Sequence, residues 1–103
     1  MSKAQKELKD FELVFKALAH ASRRHILTVL MARGGRMTAG EIAERFSCSW
    51  PTTTRHLRVL EGAGLLEVTQ KGREWIYRLQ SEQLKKTASL WLSWFNEEST
   101  GEK

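Results

Sequence analysis

Residues 49–60 read Ser-Trp-Pro-Thr-Thr-Thr-Arg-His-Leu-Arg-Val-Leu, and the side chains crowded there are of the types that hydrogen-bond to an anion. Three consecutive threonines suit a plain helix face poorly, because threonine is stiff at χ1 and a mediocre helix former. At about 100° per residue, Thr53, Leu57 and Leu60 fall on one side of a helical wheel, and Pro51, Thr54, Arg55 and Arg58 fall on the other. No carboxylate occurs between Ser47 and Leu60. A helix turned toward phosphates must lack carboxylates. Short hydroxyls let its backbone approach base edges, while arginine reaches guanine O6 and N7 or a phosphate. Ser49, Trp50, Thr52, Thr54, Arg55 and Arg58 are therefore candidate contacts to double-stranded DNA, with Thr53 inside or at the margin. Trp50 has three open uses: the sugar-phosphate edge, a thymine methyl, or packing on a neighbouring helix. A second basic group, Lys71-Gly72-Arg73, follows, and Lys71 and Arg73 join the candidates.

Other chemistries find less support. Hydrolysis or group transfer would need paired carboxylates or a nucleophile beside a base, yet Glu41, Glu44, Glu61 and Glu67 are scattered at solvent-type positions and the hydroxyls lack an activating partner. No enzyme is expected. A soft-metal site needs two to four convergent thiolates or imidazoles. Cys48 with His20, His25 and His56 does not supply one, so neither metal nor cofactor is expected and the histidines read as surface or cap residues. Cys48 reads as a small semi-buried packing residue in a turn, with a redox switch as the other use of an exposed thiol. Arg23-Arg24 fits either a solvated face or phosphate clamps. Seventeen Lys+Arg against twelve Asp+Glu give a net charge of +5 and a pI of about 9.7, a balance that favours a polyanionic partner. A lone cysteine rules out an internal disulfide. No apolar run approaches the roughly 20 residues of a membrane span, and the polar start is no signal peptide. These features together predict a single soluble cytoplasmic domain over residues 1–103.

The elements that would hold these residues follow from periodicity and caps. Leu8, Phe11, Val14, Phe15 and Leu18 mark a first helix at about 6–19. Ser22 reads as the cap of a second, about 22–33, which Gly34-Gly35 stops. Thr38 or Gly40 opens a short third helix, 41–46, with Ile42, Ala43 and Phe46 on its buried side. Ser49 caps a fourth, placing Trp50 and Pro51 in its first turn, and Gly62 or Gly64 ends it near residue 63. Residues 65–70 and 74–80 pair as a hairpin whose basic tip is Lys71-Gly72-Arg73. In the second strand Trp75, Tyr77 and Leu79 alternate with Glu74, Ile76 and Arg78. Ser81 caps a last helix rich in Leu84, Leu90, Trp91, Leu92, Trp94 and Phe95, and the tail at 96–103 is polar and frayed. The fold class is mainly α with a small β-hairpin, order α-α-α-α-β-β-α. A tight helix pair followed by a basic-tipped hairpin describes a winged helix-turn-helix, whose second helix lies in the major groove.

Residues 17–27 (Ala-Leu-Ala-His-Ala-Ser-Arg-Arg-His-Ile-Leu), 37–46, 49–66 and 71–79 together resemble the ArsR-type family of small winged-helix repressors, over about residues 8–95. The resemblance implies a homodimer joined through its first and last helices, binding a pseudo-palindromic operator. It also implies that Trp50, Thr52, Thr54 and Arg55 occupy the positions that contact DNA, and Lys71 and Arg73 those of the wing. Where the family commonly begins its second helix Asp-Pro-Thr-Arg, this chain has His20-Ala21-Ser22-Arg23, which keeps the hydroxyl and the arginine. The metal-sensing members carry Cys-x-Cys on the third helix or Asp/His clusters on the last. With neither, the chain is more similar to the metal-independent, autorepressor-like branch. Leu8, Phe11, Phe15, Leu84, Trp91, Trp94 and Phe95 are the expected dimer interface, since a chain this short leaves apolar surface spare. Lining a ligand pocket is the other use for Trp91, Trp94 and Phe95. The competing functional class is a winged-helix module that docks on a protein without sequence-specific DNA binding.

Overall fold

The structure is a computed structural model that describes residues 2–96. Eight elements follow in order: α1 (Lys3–Leu18), α2 (Ala21–Ala32), β1 (Arg36–Thr38), α3 (Ala39–Arg45), α4 (Trp50–Gly62), β2 (Leu66–Lys71), β3 (Glu74–Leu79) and α5 (Ser81–Ser93). The expectation for the tail falls outside the described residues beyond Asn96. The winged helix-turn-helix is present, with one strand more than the hairpin expected from sequence. β1 pairs antiparallel with β3, Met37 opposite Tyr77, so the sheet order is β1-β3-β2. This strand buries Met37 at 1 % exposure and ties the start of the helix pair to the wing.

Local chemistry explains the boundaries. α1 begins at Lys3, three residues before the start at about 6 expected from its apolar stripe, because Ser2 and Gln5 form a capping box: Ser2 Oγ accepts from the Gln5 N–H at 3.1 Å and Gln5 Oε1 from the Ser2 N–H at 3.0 Å. The cap of α2 is His20, not Ser22, since His20 Nδ1 accepts the Ser22 N–H at 3.3 Å. Gly35, at φ 92°, closes that helix by donating to Leu30 O at 2.7 Å. Thr38 opens α3 in a second capping box with Glu41, and the backbone N–H it presents holds the Glu41 carboxyl below its usual range. α5 has Gln80 at its cap position with no side-chain bond, and Ser81 is its first helical residue rather than its cap.

Val14 and Ala17 of α1, Leu30 of α2, Ile42 of α3 and Leu57 and Leu60 of α4 meet in one core, floored by Leu65 and Leu66. Two expectations about inward faces fail. Ala43 is exposed, because a seven-residue helix turns only Ile42 fully inward, with Phe46 half-buried behind it. Ile76, grouped with the charged residues of β3, is buried at 3 % exposure, whereas Trp75 of the apolar set is 48 % exposed. The middle of β3 is flanked by strands on both sides, while Trp75 sits beyond the reach of β1.

Candidate nucleic-acid interface

α3, a four-residue turn at 46–49 and α4 form the helix pair. Ser49 caps α4 through a 3.4 Å bond from the Thr52 N–H, and its own hydroxyl donates to Thr52 Oγ1 at 3.0 Å. Ser49 thus uses its hydroxyl both as donor and as acceptor toward half-buried Thr52. The inner face runs through Thr53, His56, Leu57 and Leu60, all buried. Trp50, Pro51, Arg55 and Arg58 are exposed, so the arginines stand on the open face as their spacing requires. Thr54 departs from the expected arrangement. It is half-buried and lines a cleft between α4 and the wing, and its hydroxyl oxygen is buried without a hydrogen-bond partner. Thr54 is only one position from Arg55, but that 100° step carries it onto β2 and β3.

The wing is a two-residue turn between Lys71 and Glu74, which stand opposite each other in register; Gly72 leads it at φ 63°, a conformation that favours glycine. Lys71 and Arg73 are exposed. The cleft between α4 and the wing holds about 420 Å³ and is lined by Trp50, Thr54, Arg58, Glu61, Trp75 and Tyr77 among others. Burial, with the Glu61 carboxylate adding to it, raises the Tyr77 hydroxyl above its ordinary range. Arg55, Arg58, Lys71 and Arg73 thus give the helix and the wing cations that open to solvent.

Behind α4 lies a cluster that sequence reasoning missed. His56 is buried rather than on the surface, its ring 4.5 Å from that of His20. Arg23 Nη1 lies 3.3 Å from His56 Nδ1, while its Nε donates to Ala17 O at 2.7 Å and its Nη2 to Lys16 O at 3.1 Å. Arg24 donates to Leu18 O at 2.7 Å. Arg23 is half-buried and Arg24 exposed, and both guanidiniums donate to carbonyls at the C-terminal end of α1. Desolvation, reinforced by His20, Arg23 and Arg55, holds the His56 imidazole below its ordinary titration range. Cys48 is exposed rather than semi-buried. Among the described residues no group of three or more His, Cys, Asp or Glu could hold a metal ion, and no helix is long and apolar enough to cross a membrane.

The residues expected at a dimer interface divide in two. Leu8 (55 %), Trp91 (38 %), Trp94 (50 %) and Phe95 (64 %) are exposed, and Leu13 and Leu92 extend the patch beyond the expected set. Phe15 is half-buried beneath Trp91, ring centroids 5.2 Å apart. Phe11 is buried within its own chain, its ring 5.1 Å from Trp94 in an edge-on contact, and Leu84 packs on the core. Phe11 is covered by α5 of its own chain, whereas Leu84 is half-buried.

A family described as a helix-turn-helix domain matches residues 18–69, which span α2, β1, α3, α4 and most of β2. The transcriptional repressor SdpR of Bacillus subtilis is 39% identical over 83 residues, covering 81% of this chain and 90% of that protein. The crystal structure of an ArsR family transcriptional regulator superposes with a TM-score of 0.78 and 25% identity over 100% of both chains. A homodimeric winged helix-turn-helix DNA-binding domain from Mycobacterium bovis shares the fold at TM-score 0.71 and 24% identity, covering 90% of this chain and 85% of that one. The chain belongs to the ArsR-type family of winged helix-turn-helix DNA-binding transcriptional regulators.

Proposed function

We propose that the protein is a cytoplasmic repressor that binds a pseudo-palindromic operator as a homodimer, through one fold unit per chain and without a metal or other cofactor. Each protomer inserts α4 into the major groove of one half-site, and the two half-sites are centred about 34 Å apart, one turn of DNA. Arg55 reads base edges from the open face, with Trp50, Ser49 and Thr52 at the helix N-terminus against the backbone. Arg58 lies one turn on, toward the wing, and Lys71 and Arg73 neutralise phosphates on the flanking strand. Thr54, half-buried beside Arg55, lies at the edge of this face. The two copies join through the exposed faces of α1 and α5.

One observation carries this reading: α4 is carboxylate-free from its cap to Leu60, with exposed Arg55 and Arg58 backed by buried Thr53, Leu57 and Leu60. Selection of bound duplexes from a random pool tests it. The expected result is enrichment of a two-fold symmetric sequence, and Arg55→Ala is expected to lose about 1–3 kcal/mol of discrimination at one base pair in each half-site. A pool that stays random, or an Arg55→Ala variant with unaltered preference in competition, refutes the groove assignment. Repression itself is read from a reporter placed behind the enriched sequence, which the chain should silence.

A further inference from the structure

Arg23 is a residue of α2 whose three donor nitrogens all point away from α2. Nε and Nη2 satisfy the Ala17 and Lys16 carbonyls at the end of α1, at 2.7 and 3.1 Å, and Nη1 lies 3.3 Å from His56 Nδ1, in the middle of α4. One planar guanidinium therefore fixes the distance between α1 and α4. Arginine has no acceptor, so His56 Nδ1 must be the unprotonated nitrogen of a neutral ring. The His20 ring lies against that of His56, centroids 4.5 Å apart and tilted by 54°, and its own Nδ1 is occupied by the Ser22 N–H at 3.3 Å. His56 adjoins a cleft of about 380 Å³ whose charged or titratable walls are His25, Arg45 and Cys48, with no carboxylate among its lining residues. Every neighbour that bears on a proton at His56 opposes it: His20 and Arg23 across the contact and Arg55 on its own helix.

We infer that Arg23, acting through neutral His56, is a positioning residue for DNA recognition: it sets the seat of α4 against the helix that joins the two copies. This rests on the groove reading of α4 and on the α1/α5 dimer proposed above. A recognition helix is useful only if both copies hold it at matching angles to one duplex, so a strut from the dimer helix to α4 acts on specificity without touching DNA. Lysine cannot replace it, because a single ammonium lacks the planar fork that spans three acceptors. Protonation of His56 would break the strut from the other end, turning the Arg23 acceptor into a second cation.

The test uses the full chain, the duplex that wild type enriches from a random pool, and an unrelated duplex of equal length. Fluorescence anisotropy is measured across salt and from about pH 7.5 to about pH 5.5, a span bracketing the ordinary histidine value. Circular dichroism and sedimentation accompany each variant. Arg23→Lys is expected to weaken operator binding about tenfold, the equivalent of one charge-assisted hydrogen bond, and to change binding to unrelated DNA less than about twofold. Its slope of log affinity against log salt should match wild type. The ratio of operator to unrelated affinity in wild type should fall toward acid pH, and in His56→Gln, which keeps a neutral acceptor, it should stay flat. Unchanged operator preference in Arg23→Lys overturns the strut, and a salt slope shallower by about one makes Arg23 a phosphate contact instead. If Arg23→Lys does not fold, the pH profiles decide: a His56→Gln profile that follows wild type overturns the proposal. Failure of wild type to enrich any duplex would refute the DNA reading itself, a separate outcome from a strut that fails with the operator in hand.

Discussion

α4 and α5 are each 13 residues long and similarly amphipathic in sequence, yet they dispose of their apolar side chains in opposite ways. α4 buries four residues and turns arginines outward; α5 buries only Thr87 and leaves Trp91, Leu92 and, just past its end, Trp94 and Phe95 in solvent. The difference lies in what each helix has for neighbours. α4 is packed by α1, α2 and the wing, so its hydrophobic face is complete within one chain and its outer face is free for a polar surface. α5 packs chiefly on α1, with Leu84 reaching the core, so the same kind of stripe is half-finished. An exposed patch with several large aromatics is rare on a chain that stays alone, and at about 25 cal/mol per Å² its removal from water favours a second copy. One helix is finished by its own fold, and the other is left open by the single chain.

The largest effect expected is the one that erases the contrast. Leu60 has 0 % exposure and sits where α4 meets the common core. Leu60→Ala should cost about 2–5 kcal/mol in urea unfolding, the usual range for truncating a buried leucine. DNA binding and dimerisation should fail together, because both faces hang on this core. Protein concentration must be held fixed, since dimer formation contributes to apparent stability.

A charge on the unfinished side separates the two regions. Leu92→Glu combined with Phe95→Glu, at positions 59 % and 64 % exposed, leaves the single chain's core intact. The dimer dissociation constant should rise by at least about a hundredfold in sedimentation equilibrium, because carboxylates would enter an apolar contact unpaired. The far-ultraviolet circular dichroism should remain that of the wild type. If the chain stays dimeric, the exposed aromatics serve something other than self-association.

Lys71→Ala probes the finished side more gently. In the proposed complex the exposed lysine at the wing tip meets phosphate and not base edges. Affinity should fall for every duplex alike, and the slope of log affinity against log salt should shrink by about one. A change of sequence preference would move Lys71 from the backbone to the bases.

How far the sequence discloses this contrast varies with the range of the contact involved. The arrangement of Thr53, Leu57 and Leu60 opposite Arg55 and Arg58 is legible because helical periodicity is local, and the wing turn is legible from Lys71-Gly72-Arg73. β1 is not, since three residues with one apolar member, Met37, have no periodicity to read. The capping role of Arg23 and Arg24 is equally hidden, and so is the burial of His56, 33 positions from Arg23. The apolar stripe on α1 can be read from the spacing of Leu8, Phe11 and Phe15. Which of these the chain's own α5 covers depends on how α5 folds back, and this is why Phe11 proves internal while Leu8 proves exposed. Thr54 illustrates the limit of a helical wheel: it gives the angle of a side chain but not the position of the wing beside it.

The smallest effect is a pH dependence of stability set by His56, behind the finished face. Burial, aided by His20, Arg23 and Arg55, holds its folded-state pKa below the ordinary value of 6.5. The unfolded chain therefore takes up a proton on this ring at a pH where the folded chain does not, and stability rises with pH wherever the unfolded state binds more protons. The contribution of neutral His56 is fully present above the unfolded value and is lost as pH falls from 6.5 through the lowered folded value. Thermal melts of wild type should decline across that window, on top of the gradual loss from protonating carboxylates further down. His56→Gln should remove the upper part of the decline while leaving the lower part in place. A His56→Gln melt with the wild-type profile between neutrality and the carboxylate range would mean that the ring is solvated in solution, and that α4 is held to α1 by its leucines alone.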